Sequence, residues 1–238
     1  MEFRNGESGL HVLHIQTITE MLLRQLVQKE NNRYALSKEQ IRMITTASAL
    51  HDIGKISIPD EILNKPSRLT AEEFAVIKGH SMAGANMLSE LPLDQKEEPL
   101  VKTAYEICRW HHERYDGGGY PDGLKGEEIP VSAQVVALAD VYDALTSERC
   151  YKDAYSHEKA IEMILAGQCG AFNPLMLECL LDISSSLKKK MGYKSKERYE
   201  QTDLSDIASR FHDFEMDSSE KIVQQLEFER MRYNLSLI

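Results

Sequence analysis

The stretch IRMITTASALHDIGK, residues 41–55, is the part of the sequence that decides the fold. Its apolar side chains recur at the spacing of an amphipathic helix, and the stripe they form ends at the pair His51-Asp52. Just before it, Ser37 and Gln40 have the spacing of a capping box, which predicts the start of that helix. The helix therefore ends on two polar side chains, which are followed by the turn Ile53-Gly54-Lys55.

The same helical periodicity runs through most of the chain, and no stretch alternates convincingly with the two-residue period of a strand. We therefore predict an all-α domain from about residue 7 to about residue 187. One loop, residues 113–130, holds five of the 13 glycines, and long loops of this kind inside a helical domain are often functional. Further helix starts are predicted from capping residues at Thr70, Ser132, Ser156 and Asn173.

The last part of the chain has a different character. We divide the chain into a main domain, residues 1–187, and a segment of residues 188–238 that begins lysine-rich and continues polar. An additional C-terminal helix is predicted from about Ser218, with apolar side chains on two of its faces. Such a helix needs a cover, and docking on the main domain or pairing of two copies in a homodimer both supply one.

Charge and composition exclude several classes of protein. The 28 basic and 38 acidic residues give a net charge of −10, which argues against non-specific DNA binding as the main role. No apolar stretch has the length of a membrane helix, and the first ten residues contain no apolar signal-peptide core. We expect a cytoplasmic protein without membrane insertion, with its four cysteines as free thiols.

Histidines and carboxylates recur together. Six of the eight histidines fall at helix ends or where helical faces converge, and three carboxylates accompany them. A single histidine on an apolar stripe is usually a core residue, but this interpretation weakens when several share the pattern. A buried carboxylate also costs several kcal/mol unless it is paired or bound to a metal. The residues concerned are Glu7, His11, His14, His51, Asp52, His80, His111, His112 and Asp140.

Imidazole and carboxylate ligands without thiolates suit Fe, Mn, Zn, Co or Ni. Their number exceeds what one ion needs, and a carboxylate can bridge two ions, so the sequence indicates a site for two or more metals. Such sites serve the hydrolysis of phosphate esters, because the ions neutralise the phosphate and activate water.

Several motifs in order resemble the HD-GYP family. HDIGK at residues 51–55 and HHERYDGGGYP at residues 111–121 carry the signature. NKPSRLT at residues 64–70 and ADVYDALTS at residues 139–147 extend it, with Arg149, Tyr151 and Lys152 in place of the family's R-P-Y-K and residues 172–174 in place of its F-D-P. The resemblance covers roughly residues 7–187.

The resemblance implies an HD-domain helical bundle with the HD-GYP extension. It implies a phosphodiesterase that hydrolyses cyclic di-GMP to pGpG, with a further cut to GMP, at a di- or tri-nuclear site of iron or manganese. Asp52 would bridge two ions, and Glu7 with His11 would hold a third. By position, the metal ligands would be Glu7, His11, His51, Asp52, His80, His111, His112 and Asp140.

The resemblance also implies residues that contact the substrate. Lys55 and Asp52 would be catalytic, with Lys55 touching the scissile phosphate or the attacking water. Tyr120, Arg149 and Lys152 would bind the dinucleotide together with Lys55. The chain departs from the family pattern without losing an expected ligand, at His14, Ser81, Cys150 and Asn173. His157 and His212 match nothing in the family and are interpreted as surface residues.

Two other functions stay open from the residues. The domain could hydrolyse another cyclic dinucleotide or nucleotide, because base-reading contacts are not visible in a sequence. It could also be a sensor that binds the dinucleotide without cutting it, although the complete ligand set argues against this. HD-GYP domains often follow a phosphorylatable receiver domain, so we expect an N-terminal receiver or sensor domain in a longer protein.

Overall fold

The computed structural model describes residues 9–30, 32–147 and 154–191. Within these residues the structure contains helices and no strand, which confirms the predicted all-α class. Nine α-helices follow in chain order: α1 Gly9–Leu26, α2 Lys38–Ala47, α3 Asp60–Leu63, α4 Ala71–Ser89, α5 Leu93–Lys96, α6 Pro99–Trp110, α7 Val131–Thr146, α8 His157–Leu165 and α9 Pro174–Lys190. Three short 3₁₀ helices, Ser48–Leu50, Ile53–Ser57 and Gly126–Glu128, connect them.

Helix α1 is the centre of the bundle and packs against α2, α7 and α9. Its apolar stripe is fully buried, from Ile15 and Ile18 to Leu22 and Leu26. A second layer forms where α4 packs on α6 and on the 3₁₀ helix Ile53–Ser57. The two layers meet along α6, which also contacts α2 and α7, and this junction positions the polar side chains described below.

Most of the predicted helix starts are present. Ser37 and Thr70 each form a complete capping box, and Asn173 caps α9 ahead of Pro174. The prediction for Ser132 is wrong: α7 begins one residue earlier, at Val131. The Ser132 hydroxyl instead donates a hydrogen bond to Glu106 Oε2 across the contact between α7 and α6, at 2.7 Å.

His157 corrects a second expectation. Its side chain is 2 % exposed, so it is a core residue and not a surface one. Its Nδ1 lies 2.6 Å from the Tyr142 hydroxyl and its Nε2 lies 2.8 Å from the Ser184 hydroxyl. These two contacts join α7, α8 and α9. His157 is the first residue of its helix, so helical periodicity does not reveal that its side chain is buried.

Other expectations concern thiols, membranes and the last segment. Cys108, Cys169 and Cys179 are buried cysteines that form no disulfide, as predicted. Among the described residues, no helix combines the length and the apolar character that crossing a membrane requires. The predicted C-terminal helix lies outside the described residues, as do Cys150 and His212, and the division of the chain after residue 187 stays a prediction.

Candidate metal centre

The predicted histidines and carboxylates reach one place from five elements. His51 and Asp52 occupy the short junction between two 3₁₀ helices, and His80 lies within α4. His111 caps the C-terminal end of α6, and His112 follows it. His11 comes from α1 and Asp140 from α7. Their convergence therefore depends on the packing of α1, α4, α6 and α7 and not on any local motif.

The ligand atoms form two adjoining groups. Within each group, all the ligand atoms lie within 4.8 Å of one another. The first group consists of Asp52, His80, His111 and His112, and the second of His11, His51 and Asp140. The groups are joined where His51 Nε2 lies 3.1 Å from Asp52 Oδ2 and 3.9 Å from Asp140 Oδ1. Every predicted ligand that the structure describes belongs to one of these groups.

Backbone carbonyls orient three of the imidazoles. The Nδ1 atoms of His51, His80 and His111 lie 2.7–2.9 Å from the carbonyl oxygens of Ser48, Ile77 and Ile107. A carbonyl oxygen only accepts, so each Nδ1 carries the hydrogen and each Nε2 presents a lone pair. This is the arrangement that second-sphere hydrogen bonds give to metal-binding histidines.

The His80 lone pair faces a carboxylate oxygen and two imidazole nitrogens. His80 Nε2 lies 3.1 Å from Asp52 Oδ1, 3.2 Å from His112 Nε2 and 3.4 Å from His111 Nε2. The lone pairs of His80, of His111 and of the Asp52 oxygen repel one another at these distances unless a cation lies between them. Ligands bonded to one ion at 2.0–2.2 Å are roughly 3.0–3.5 Å apart, which is the spacing seen here. The donor set therefore fits a metal ion.

The charge states agree with this arrangement. Burial alone would raise the pKa of Asp52, but the Lys55 ammonium outweighs it and holds that pKa well below its usual value. Burial lowers the pKa of His111 to about 3, so the ring is neutral. An ionised carboxylate beside neutral imidazoles is the form in which these groups bind metals.

The second group contains a buried polar atom that lacks a hydrogen bond. His11 Nδ1 lies 2.7 Å from Asp143 Oδ2, whereas its buried Nε2 has no hydrogen-bond partner within the described part of the chain. This Nε2 lies 4.0 Å from Asp140 Oδ1. An imidazole held by a carboxylate on one side and open on the other is a common metal-binding arrangement.

Sequence reasoning missed Asp143 as a functional residue. Its carboxylate is 1 % exposed and also lies 2.6 Å from His14 Nδ1 and 2.8 Å from the Ser147 hydroxyl. Burial alone would raise the pKa of Asp143, but the contacts with His11 and His14 hold it far below its usual value. Its spacing of three residues from Asp140, within an apolar run of α7, is the signal that could have found it.

Lys55, the predicted catalytic lysine, lies beside the first ligand group. Its Nζ is 2.7 Å from Asp52 Oδ2. The intervening Gly54 explains how the two residues come so close to α4: a Cβ at this position would lie 1.9 Å from the His80 carbonyl oxygen. The absence of a side chain at Gly54 therefore lets Asp52 and Lys55 approach His80.

The glycine-rich loop forms one edge of the centre. The Tyr120 ring stacks on His112 with centroids 4.8 Å apart and planes at 26°. Glu113 Oε1 accepts hydrogen bonds from the backbone N–H of Asp122 and of Gly123, at 2.7 and 3.0 Å. A Cβ at Gly119 would lie 2.3 Å from the Arg114 backbone nitrogen, so the loop folds closely on itself.

Some predicted site residues lie outside the described residues: Glu7, Arg149 and Lys152. Of the departures from the family pattern, Asn173 keeps the cap, because its Oδ1 accepts from the Leu175 N–H at 3.0 Å. Its amide also donates to the Tyr34 hydroxyl and to Gln134 Oε1, both at 2.9 Å, which an aspartate could not do.

Comparison with known proteins identifies the family of this chain. A family model described as an HD domain matches residues 10–172. A "probable cyclic di-GMP phosphodiesterase" of Vibrio cholerae is 42 % identical over 186 residues, which are 76 % of this chain and 41 % of the relative. The "cyclic di-GMP phosphodiesterase response regulator RpfG" of Xanthomonas campestris is 38 % identical, covering 81 % of this chain and 47 % of the relative. A "3'3'-cGAMP-specific phosphodiesterase 2" of Vibrio cholerae is also 38 % identical, covering 76 % of this chain and 32 % of the relative.

The chain thus spans less than half the length of these curated relatives. Among solved structures, an HDG"Y"P protein from Bdellovibrio bacteriovorus matches with a TM-score of 0.53 at 20 % identity, over 74 % of this chain and 51 % of that one. This likeness supports the fold. Together with the ordered HDIGK and HHERYDGGGYP motifs, these matches show that the chain belongs to the HD domain family and is of the HD-GYP type.

Proposed function

We propose that this chain is a metal-dependent phosphodiesterase that hydrolyses cyclic di-GMP to pGpG and then to GMP. The observation that carries the proposal is the pair of adjoining ligand groups that meet at Asp52. The names of several relatives, among them the Vibrio cholerae and Xanthomonas campestris proteins, support cyclic di-GMP as the substrate.

Two or three metal ions fit the proposal. Asp52, His80, His111 and His112 would hold one ion, and His51 and Asp140 a second with Asp52 as the bridge. His11 and Glu7 would take part in holding a third. We favour iron or manganese, because imidazole and carboxylate ligands without thiolates suit these ions; zinc, cobalt and nickel are the alternatives.

The bound ions would neutralise the phosphate and lower the pKa of the attacking water. The chain's own residues orient the reaction around them. Lys55, held 2.7 Å from Asp52, would donate a hydrogen bond to an oxygen of the scissile phosphate. Tyr120 stacks on His112 at one edge of the centre. We also propose that Tyr120, Arg149 and Lys152 contact the dinucleotide.

A second substrate has specific support. The 3'3'-cGAMP-specific relative is 38 % identical to this chain, so relatives of similar closeness are named for different cyclic dinucleotides. A guanine-to-adenine change leaves both phosphodiesters intact, so the metal centre alone does not distinguish the two. Turnover of cyclic di-GMP and 3'3'-cGAMP, measured side by side, separates these activities.

An input domain and a second copy are further proposals. The RpfG relative is called a response regulator, and this chain covers 47 % of it. We propose that the phosphodiesterase works with an N-terminal receiver or sensor domain in a longer protein. Pairing of two copies is tested by the mass of the chain in solution.

The decisive experiment purifies the chain anaerobically, counts metal ions per chain and separates the products of cyclic di-GMP on the same sample. We expect at least two ions and the appearance of pGpG or GMP. A chelator should remove the activity, and manganese or iron should restore it. Asp52→Ala should lose both metal and turnover, whereas Asp182→Ala, which removes an exposed carboxylate of α9, should keep both.

Two outcomes would reject the proposal. Full activity of Asp52→Ala would show that Asp52 neither bridges the ions nor supports catalysis. Bound metal in the wild type without turnover of either cyclic dinucleotide would assign the centre to another substrate or to a binding role.

A further inference from the structure

Lys78 lies on α4, two residues before His80, and its amine rests against aromatic rings. Its Nζ is 5.0 Å from the centroid of the Phe74 ring and 5.6 Å from that of the Tyr120 ring. Tyr120 in turn stacks on His112. The ammonium therefore lies beside a ring that contacts a candidate metal ligand, at the edge where α4 meets the glycine-rich loop.

The charge of Lys78 differs from that of its neighbours in having no carboxylate beside it. Within the described residues, no acidic side chain makes an ion pair with the Lys78 amine. Three other cations of this region do have one: Lys55–Asp52 at 2.7 Å, Arg109–Asp122 at 2.7 Å and Arg114–Asp116 at 2.9 Å. In a chain with ten more acidic than basic residues, the Lys78 ammonium is therefore a positive charge at the edge of the centre that is available to an anion.

The two rings also hold the amine in place. Cation–π contacts with Phe74 and Tyr120 attract the ammonium to the edge of the centre, and the half-buried position of Lys78 keeps it partly away from water. A phosphate oxygen is a stronger partner than a ring face, because a charge-assisted hydrogen bond is among the strongest contacts of a lysine. A phosphate that reaches this edge can therefore replace the cation–π contacts of the Lys78 ammonium with a stronger hydrogen bond.

A cyclic dinucleotide carries two phosphodiesters on opposite sides of its ring. The metal centre engages one of them, and the riboses keep the other away from the ions. We propose that Lys78 binds the phosphate that is not being cleaved and so selects cyclic dinucleotides over diesters with a single phosphate. The identity of the substrate here rests on the proposed function.

Three variants test this role. Lys78→Met keeps an unbranched apolar stem against the two rings and removes the charge, and Lys78→Arg keeps the charge. Lys102→Met removes an exposed lysine that pairs with Glu97 near the start of α6, away from His111 at its end, and serves as the control. The measurements are the affinity for a hydrolysis-resistant phosphorothioate analogue of cyclic di-GMP, and the turnover of cyclic di-GMP and of bis(p-nitrophenyl) phosphate.

We expect Lys78→Met to weaken binding of the analogue about tenfold, the effect of one charge-assisted hydrogen bond, and to raise the KM for cyclic di-GMP in parallel. Its kcat and its turnover of bis(p-nitrophenyl) phosphate should match the wild type, because that diester has no second phosphate. Lys78→Arg should recover most of the affinity, and Lys102→Met should behave as the wild type.

The outcomes separate this inference from the proposed function. Wild-type affinity in Lys78→Met, or an equal loss for both kinds of diester, would overturn the role of Lys78, the second result by showing that it only supports Tyr120. A wild type that binds the analogue without cutting cyclic di-GMP would overturn the phosphodiesterase, and the affinity ratio would still decide on Lys78. A wild type that does not bind the analogue would overturn both.

Discussion

Backbone carbonyls, and not neighbouring side chains, turn three imidazoles of the centre towards it. Each of His51, His80 and His111 donates from Nδ1 to a carbonyl three or four residues earlier in its own segment. Local helical geometry therefore sets the orientation of each ring, and no further side chain is needed to hold it. His11 is different, because its Nδ1 depends on the distant carboxylate of Asp143.

This dependence makes Asp143 a testable positioning residue. In Asp143→Asn, the amide oxygen can accept a hydrogen bond from the Nδ1–H of either His11 or His14. The amide NH₂ group then faces the Nδ1–H of the other histidine, and two donors repel. We expect the ion that His11 would help to hold to bind about 10–100-fold more weakly, as is typical when the partner of a metal-binding histidine is changed. Titration of the purified chain with manganese, followed by calorimetry, measures this affinity.

A matched control is Asp182→Asn, which alters an exposed carboxylate that pairs with Lys29. It should leave metal affinity unchanged. Unaltered affinity in Asp143→Asn itself would mean that His11 needs no partner to face the centre.

The residue identities were far easier to predict than their partners. The spacing of histidines and carboxylates pointed to His51, Asp52, His80 and Asp140, because a buried polar residue in an apolar stripe is visible in a sequence. Asp143 and His14 were not recognised as a pair, since they are 129 residues apart and meet only through the packing of α1 on α7. The ligand roles themselves stay predictions.

At the scale of the elements, the contact between α4 and the 3₁₀ helix Ile53–Ser57 determines the geometry of the centre. Gly54 and Gly84 face each other there: a Cβ on Gly84 would lie 3.1 Å from the Gly54 nitrogen, and a Cβ on Gly54 would lie 2.4 Å from the Gly84 nitrogen. Two backbones in direct contact leave no flexible side chain that could move to make room.

We therefore expect Gly54→Ala to destabilise the fold by about 3 kcal/mol, because the 3₁₀ helix has to move away from α4. The same movement separates Asp52 from His80, so metal affinity should fall as well. Chemical denaturation of the metal-free chain measures the first effect, and metal titration measures the second.

Gly79→Ala is a control on the same helix. A Cβ there meets nothing within 4 Å, so the change should stabilise α4 by about 0.5–1 kcal/mol through its higher helix propensity. Equal effects of the two substitutions would contradict the role of close backbone approach.

The helix starts show which features of the structure can be predicted from local sequence. Ser37, Thr70 and Asn173 cap as predicted, because a cap involves only the next two or three residues. Ser132 has the same chemistry but donates to Glu106 on α6 instead. The contact with Glu106 replaces the local capping role of Ser132. The sequence alone does not show this contact, because it forms only when α6 and α7 pack together.

At the scale of the whole molecule, contacts between distant parts of the chain hold both the centre and the core. The contact of His11 with Asp143 spans 132 residues, and that of Asn173 with Tyr34 spans 139. The helical class was predictable because periodicity is a local property. The packing of α1 between α2, α7 and α9 was not predictable. The apolar stripe of a helix does not specify which other helix it will pack against.

The buried network of Tyr142, His157 and Ser184 links α7, which carries Asp140, to α8 and α9, and it makes the stability of the molecule depend on pH. Burial lowers the pKa of His157 below its ordinary value of 6.5. The folded state thus prefers the neutral ring, and the unfolded chain takes up a proton first as the pH falls. The contribution of His157 to stability is therefore complete above about pH 6.5 and is lost progressively below it, down to the pKa of the folded state.

We expect the wild type to lose stability relative to His157→Gln between pH 7.5 and 5.5, since glutamine forms hydrogen bonds but does not titrate in this range. Denaturant unfolding of both proteins at several pH values gives the difference, in which the titration of the metal-site histidines cancels. A difference that stays constant with pH would contradict the prediction, because it would mean that His157 takes up its proton equally well in the folded and unfolded states.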